Sequence, residues 1–331
     1  MKKISIFIAC IILSVSLAAC SESSEDSTGR PAVISRHDID YVFNAGSNPR
    51  IVRTGAYYYY ISSADACLYR CSPDGSDPVL IQQGGASDSI KYLMTDGTKV
   101  YYLLNDLLHY YDPDLQKSTK AGDDRFYMPF LSNGSVYSMT AEKSSVIKRY
   151  DTDGKLTEEI RLENTDRLSS YFVLGNEIFY LGESRSDPKI SAFYSYNTQT
   201  KQTETIYSDM LNALEYIAAD EEYYYLQFQE KDNPEKGVVM KVIDRENKQT
   251  VQTFSGSFRY FLVIESEIYA VSQEGLVKAA SDGGKDTVIS ADPRAEIGIN
   301  IADGKIFLFD MRYDFDILIE PDGSGRTEFQ K

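Results

Sequence analysis

Apolar and polar positions repeat one unit seven times along the chain: an apolar strand, a tight Asp/Asn/Gly turn, an aromatic-rich strand, a connection, a third strand, a second Asp-Gly-type turn and a fourth strand. The first turns fall at Gly55, Asp96-Gly97, Asn133-Gly134, Gly175-Asn176, Asp220-Glu221, Glu265-Ser266 and Asp303-Gly304, so successive turns lie 42, 37, 42, 45, 45 and 38 residues apart. A period of about 40 to 50 residues is that of a propeller blade of four strands. The run after each turn is short and rich in β-formers, as in Tyr57–Tyr60, Val100–Leu103, Ile178–Leu181, Tyr223–Leu226 and Ile306–Phe309. Second turns recur at Asp74-Gly75, Asp112-Pro113-Asp114, Asp153-Gly154, Asn197, Asp244–Asn247, Asp282-Gly283 and Asp322-Gly323. One Asp-Gly hairpin signal says little, whereas seven in phase specify an architecture.

The pattern predicts an all-β fold: a single seven-bladed β-propeller of four-stranded antiparallel blades over residues 32–331. A length of 331 residues alone would suggest two domains, but a repeat whose units bury their faces on their neighbours makes one. Strands sandwiched between blades need apolar or aromatic side chains on both faces. That need accounts for 26 Tyr and 15 Phe without a cofactor, and none is expected. No stretch reads as an amphipathic helix. Blade 7 owns a fourth strand in Thr327-Glu328-Phe329, so Tyr41-Val42-Phe43 is left as a candidate extra strand or edge cap.

The amino terminus carries a second signal: Lys2 and Lys3, an apolar run from Ile4 to Leu17, then Leu17-Ala18-Ala19-Cys20. This is the charge and hydrophobicity profile of a signal peptide over residues 1–19. Its end resembles the lipobox of bacterial lipoproteins. The resemblance implies that Cys20 receives a diacylglyceryl group, becomes the mature terminus and carries palmitate-type chains; an ordinary secretory cleavage near the same point is the alternative. Each buried methylene contributes about 0.8 kcal/mol, so two or more chains hold a protein durably. Residues 20–31 are polar and acidic and read as a flexible tether. The expected location is extracytoplasmic, lipid-anchored to the cell membrane or outer membrane.

Of the four cysteines, Cys10 leaves with the signal, which leaves Cys67 and Cys71 as the one pair able to bridge. Residues four apart in a strand lie roughly 13 Å apart, beyond the ~7 Å reach of a disulfide, and two thiols without His partners make an incomplete zinc site. Loss of Lys2 and Lys3 leaves 32 cations against 50 acids, a net charge of −18. Such acidity argues against nucleic acid as a partner and favours solubility.

Blade 1, from Tyr58-Tyr59-Tyr60 through Leu68-Tyr69-Arg70 to Asp74-Gly75, resembles the repeat of low-density-lipoprotein-receptor-related and TolB-like β-propellers. Ile268–Val271, Leu276-Val277-Lys278, Asp282-Gly283 and Pro321-Asp322-Gly323-Ser324 carry parts of the same repeat in blades 6 and 7. Bacterial lipoproteins bearing such blades are the family that the chain is similar to, over nearly all of its mature length. The receptor-type tryptophan is absent throughout, so the resemblance implies the fold and not the receptors' ligands. Repeats built on Trp-Asp pairs, tryptophan docking or Asp-boxes are disfavoured for the same reason.

Catalytic signatures are sparse. His37 and His109 are the only histidines, and His109 sits in a strand expected to pack between blades. No Gly-x-Ser-x-Gly elbow, His-Glu-x-x-His pair or phosphate loop occurs. Asp151-Thr152-Asp153-Gly154 opens like a calcium loop, but the twelfth position is Leu162 where glutamate is needed, so a hairpin turn is the better reading and no metal site is expected.

Recognition is expected on the face that gathers the second-to-third connections and the links between blades. Those loops vary, as in Asn105-Asp106 against Glu183–Pro188 and Glu230–Lys236. Close to the start of six innermost strands stands a cation: Arg50, Lys91, Arg125, Arg167, Arg259 and Arg294. Together they form a candidate anion-binding ring at the channel mouth. Asp124, Asp166 and Asp292 stand close before three of them and offer the alternative of simple ion pairing. The reading is a membrane-anchored, monomeric, non-catalytic recognition or scaffold module for a protein, peptide or envelope glycan. The alternative is an envelope hydrolase or lyase with its site at the channel mouth.

Overall fold

The computed structural model describes residues 36–44, 48–85, 89–140, 145–184, 191–209, 212–230, 238–256, 260–265, 267–272, 275–279, 286–290, 298–310 and 315–329. The expected signal and tether segments, and with them Cys20, lie outside the described residues. Within the described residues, seven four-stranded sheets each take their strands in consecutive order, every neighbour antiparallel. The chain is a seven-bladed β-propeller, as the repeat predicts. The first strands of blades 1 to 7 are Ile51–Thr54, Ile90–Thr95, Tyr127–Ser132, Thr165–Leu174, Asn212–Ala219, Phe261–Ile264 and Gly298–Ala302. They touch one another in sequence around an axis, with blade 7 returning to blade 1 and the Tyr216 and Phe261 rings meeting edge-on at 5.0 Å between blades 5 and 6.

The second strands are buried on both faces, which is why they hold the aromatic runs. Tyr58, Tyr59 and Tyr60 are each at most 1% exposed, Tyr101, Tyr102, Phe179, Tyr180 and Phe307 are equally enclosed, and Tyr225 is buried too. Tyrosine here has a use beyond volume. In blades 2 and 5 the turn aspartate anchors the tyrosine five residues on: Tyr101 Oη donates to Asp96 at 2.9 Å and Tyr225 Oη to Asp220 at 2.7 Å. The other oxygen of each carboxylate closes its own turn, accepting the amides of Thr98 and Lys99 in one case and of Glu222 and Tyr223 in the other. Asp74, Asp112, Asp151, Asn197, Asp244 and Asp322 do the same in the second turns. Asp151 accepts the Asp153 and Lys155 amides, so that sequence is a hairpin turn.

The glycine of the second turn serves the packing of blade on blade. A Cβ on Gly154 of blade 3 would lie 2.4 Å from the Ala121 carbonyl oxygen in the outer strand of blade 2. One on Gly323 of blade 7 would lie 2.9 Å from Ile289 O of blade 6, and one on Gly75 of blade 1 would lie 2.8 Å from Thr327 Cγ2 of blade 7. In blades 1, 3 and 7 the Asp-Gly dipeptide thus makes the turn and lets the blade approach the one before it.

Blade 7 supplies its own outer strand, Thr327–Glu328, so the ring closes without sharing a strand between the described ends. Side chains hold this seam. The Arg50 amide donates to Asn300 Oδ1 at 2.7 Å, the Ser63 amide and hydroxyl both donate to the Asp316 carboxylate at 2.7 Å, and Phe329 stacks on Tyr60 at 4.7 Å.

One expectation is corrected. Tyr41-Val42-Phe43 is neither strand nor edge cap; it belongs to a nine-residue helix, α1 (Arg36–Asn44). Nine residues are too few for a helical period to show against a contiguous apolar triplet. The available signal is Ser35 followed three residues on by Asp38, a capping-box spacing.

Candidate functional site

The axial channel is where a propeller gathers side chains from every blade, and in this chain α1 occupies it. The helix contacts the first strands of blades 3, 4, 5, 6 and 7, and the small cavity on its remaining flank is lined by first-strand residues of blades 1 and 2, including Val52 and Met94. Tyr41, Val42 and Phe43 are 6%, 1% and 2% exposed. The Tyr41 ring meets Phe130 edge-on at 4.9 Å, and Phe43 meets Tyr225 at 5.6 Å. The remaining cavity is about 20 Å³, room for one water molecule.

Polar contacts fix the depth and rotation of α1. The Asn44 side chain pairs with the Ile301 backbone as another strand would, donating to its carbonyl at 2.7 Å and accepting its amide at 2.6 Å. Asp40 accepts the Asp303 amide at 3.0 Å, and Tyr41 Oη donates to Pro129 O at 2.7 Å. Tyr216 Oη donates to the Val42 and Phe43 carbonyls, which a helix of this length leaves free. Burial pushes the Tyr41 hydroxyl well above the usual phenol range, and the neighbouring Tyr92 and Tyr171 add to it. Blade 3 bends to meet the helix: Met128 sits at φ 48° in a bulge of the first strand, and its carbonyl accepts Tyr171 Oη at 2.7 Å beside the Pro129 carbonyl that takes Tyr41. Tyr92 occupies the same left-handed region, φ 58°, in the corresponding bulge of blade 2. A bulky residue there costs about 1–2 kcal/mol, so the distortion marks where the channel is shaped.

The six cations of the expected ring have different surroundings. Arg50 is buried at the seam: its guanidinium donates to Ile61 O at 2.8 Å and Ser62 O at 3.0 Å and lies 5.1 Å from the Phe309 ring centre. Burial lowers its pKa, opposed by the charge of Asp316. Lys91 lies in the first strand of blade 2, 3.7 Å from Asp106. Arg125 stands two residues before the first strand of blade 3, at the end of the fourth strand of blade 2 (Lys117–Arg125), opposite Leu107 and exposed, because the link between the two blades is a single residue, Phe126. Arg167 lies in the first strand of blade 4, and Arg259 and Arg294 fall outside the described residues. So do residues 185–190 and 231–237, the bulk of the two long loops.

Other titratable groups are engaged in structure. His109 stacks on Tyr102 at 5.6 Å, and burial, with help from Lys120, lowers its pKa, which keeps the imidazole neutral at pH 7. Cys67 and Cys71 are unbridged and buried, and burial followed by the charge of Asp74 pushes the Cys71 thiol up to about 12. Among the described residues no group of three or more His, Cys, Asp or Glu side chains is placed to hold a metal. On the tight-turn face an open groove of about 740 Å³ between blades 6 and 7 is lined by Glu265, Glu267, Asp303, Glu320 and Asp322. Three of these carboxylates are paired, Glu267 with Lys278, Glu320 with Lys305 and Asp303 with Arg53.

No family model matches the sequence, and no curated protein does. Solved structures match in fold. A chain of the mitotic checkpoint complex aligns at TM-score 0.56 and 11% identity over 91% of this chain and 96% of that one. Puromycin hydrolase aligns at TM-score 0.57 and 12% identity over 91% of this chain, which spans only 56% of the hydrolase. Oligogalacturonate lyase in complex with manganese aligns at TM-score 0.56 and 9% identity, over 81% and 84% of the two chains. Identities this low establish the shared fold and nothing finer: the chain is a β-propeller whose hub is filled by its own amino-terminal helix.

Proposed function

We propose that this protein is a membrane-anchored, extracytoplasmic, non-catalytic recognition or scaffold module that binds a protein, peptide or envelope glycan through its variable-loop face. The observation that carries the reading is α1 in the channel. The hub, where seven blades could converge on a small substrate, is packed with Tyr41, Val42 and Phe43, which leaves outer surfaces for contact. The turn carboxylates that an acid-base enzyme would draw on are occupied in closing turns and holding tyrosines. Similar folds serve in a multi-protein complex and in two enzymes, so fold likeness does not choose between the classes. Lys91, Arg125, Arg167, Arg259 and Arg294 are the cations proposed to contact an acidic ligand, Arg50 being engaged with the Ile61 and Ser62 carbonyls. Protein is favoured over sugar, because with no tryptophan the best stacking surface is missing.

Anchoring rests on the Leu17-Ala18-Ala19-Cys20 sequence. Radiolabelled palmitate should enter the wild type and not Cys20→Ala, and the variant should move from the membrane to the soluble fraction. A labelled or sedimenting variant refutes the anchor. For recognition, crosslinking in intact membranes should recover a stoichiometric partner that is lost when residues 231–236 are replaced by Gly and Ser. Recovery unchanged by that replacement refutes the loop face as the binding surface.

A further inference from the structure

We propose that the axial channel is a receptor for a short helix and that α1 is its resident ligand, a separable plug that closes the ring in place of a shared strand. The need for such an element follows from the topology. Each described sheet is built from four consecutive strands, so no described strand is exchanged to lock blade 7 to blade 1, and the seam depends on side-chain contacts. The plug reaches the first strands of five blades and shares a small cavity with those of the other two.

Its helicity cannot be its own. An isolated helix of nine residues is unstable in water, because nucleation is costly and too few hydrogen bonds follow. The channel supplies the missing stabilisation as a receptor does, with an enclosed surface for Tyr41, Val42 and Phe43 and matched polar groups for Asp40, Tyr41 and Asn44. The matching is specific: Asn44 satisfies both backbone groups of Ile301, and the Met128 bulge lies beside the Pro129 carbonyl that Tyr41 uses. Contacts made to blades 3, 5 and 7 by one rigid element hold these blades at fixed separations, the task a shared strand performs at a single seam.

The test uses the full-length chain with a protease recognition sequence inserted at residues 45–47, between α1 and blade 1; the uncut protein is the control. After cleavage the amino-terminal fragment should remain with the propeller through gel filtration. A fluorescent peptide of residues 36–44 in excess should exchange into the cut protein. The same peptide carrying Tyr41→Ala and Asn44→Ala should be taken up at least tenfold less. Release of the fragment with no change in melting temperature overturns the proposal, as does equal uptake of the two peptides. Release accompanied by aggregation supports it. The intact chain gives a second reading: Asn44→Ala should speed hydrogen exchange at the Ile301 amide at least tenfold, and unchanged exchange overturns the proposal.

Discussion

Gly154→Ala and Gly134→Ala in blade 3 separate two reasons for a turn glycine. Both glycines have positive φ, 79° and 63°, so alanine at either pays the left-handed cost of about 1–2 kcal/mol. Their surroundings differ. A Cβ at Gly134 meets nothing within 4 Å, whereas one at Gly154 lies 2.4 Å from Ala121 O and 3.0 Å from the Gly122 nitrogen. Those atoms are backbone of blade 2, so relief requires blades 2 and 3 to move apart, and overpacking of this kind costs about 1–3 kcal/mol more. Gly134→Ala should therefore lose about 1–2 kcal/mol and Gly154→Ala about 2–5 kcal/mol. Equilibrium urea unfolding measures both; at a slope of about 3 kcal/mol/M the extra loss lowers the midpoint by roughly 0.3–1 M. Equal midpoints would mean that the glycine is there for its turn alone, and the inter-blade account would fail.

Tyr225→Phe removes the hydroxyl that donates to Asp220 inside blade 5 and should cost about 1–2 kcal/mol by the same unfolding assay, while Tyr223→Phe, for which no such bond is seen, serves as the reference. Asp74 and Asp322 are held below the usual carboxylate range by hydrogen bonds from Ser76 and Ser324. Asp96 is also lowered: partial burial opposes the shift, but bonds from Lys99, Thr98 and Tyr101 outweigh it. Groups with depressed folded-state pKa stabilise above the unfolded carboxylate pKa and lose that contribution as pH falls through the folded value. Stability should thus decline below about pH 4, and Asp96→Asn should flatten that decline; an unaltered acid limb contradicts the assignment. Iodoacetamide at pH 8 should modify neither Cys67 nor Cys71 in the native protein and both in urea, read by mass spectrometry, because both are buried and the Cys71 thiol is pushed up to about 12.

The blade count, the turn positions and the identity of the inter-blade strands were legible because they depend on near-neighbour chemistry. An aspartate closes a turn with amides two and three residues on, and a Tyr57–Ile61 run can be satisfied only between two sheets. Periodicity captures such relations, and repetition multiplies the signal. The surroundings of the Arg50 side chain were not legible. Arg50 stands just before a first strand, as the repeat predicts, yet its guanidinium turns onto the Ile61 and Ser62 carbonyls of its own blade and the Phe309 ring of blade 7. Where that side chain lies is decided in part by a ring of another blade, Phe309, which is hundreds of residues away in sequence.

By itself, then, the sequence determined the repeated sheet and its turn residues, each written within a few adjacent residues. The tertiary structure alone decided that Arg36–Asn44 is a helix and that it fills the hub. Nine residues carry too weak an intrinsic preference to choose a conformation, and the choice is made by Ile301, Pro129 and Tyr216, groups that meet only after the ring has closed.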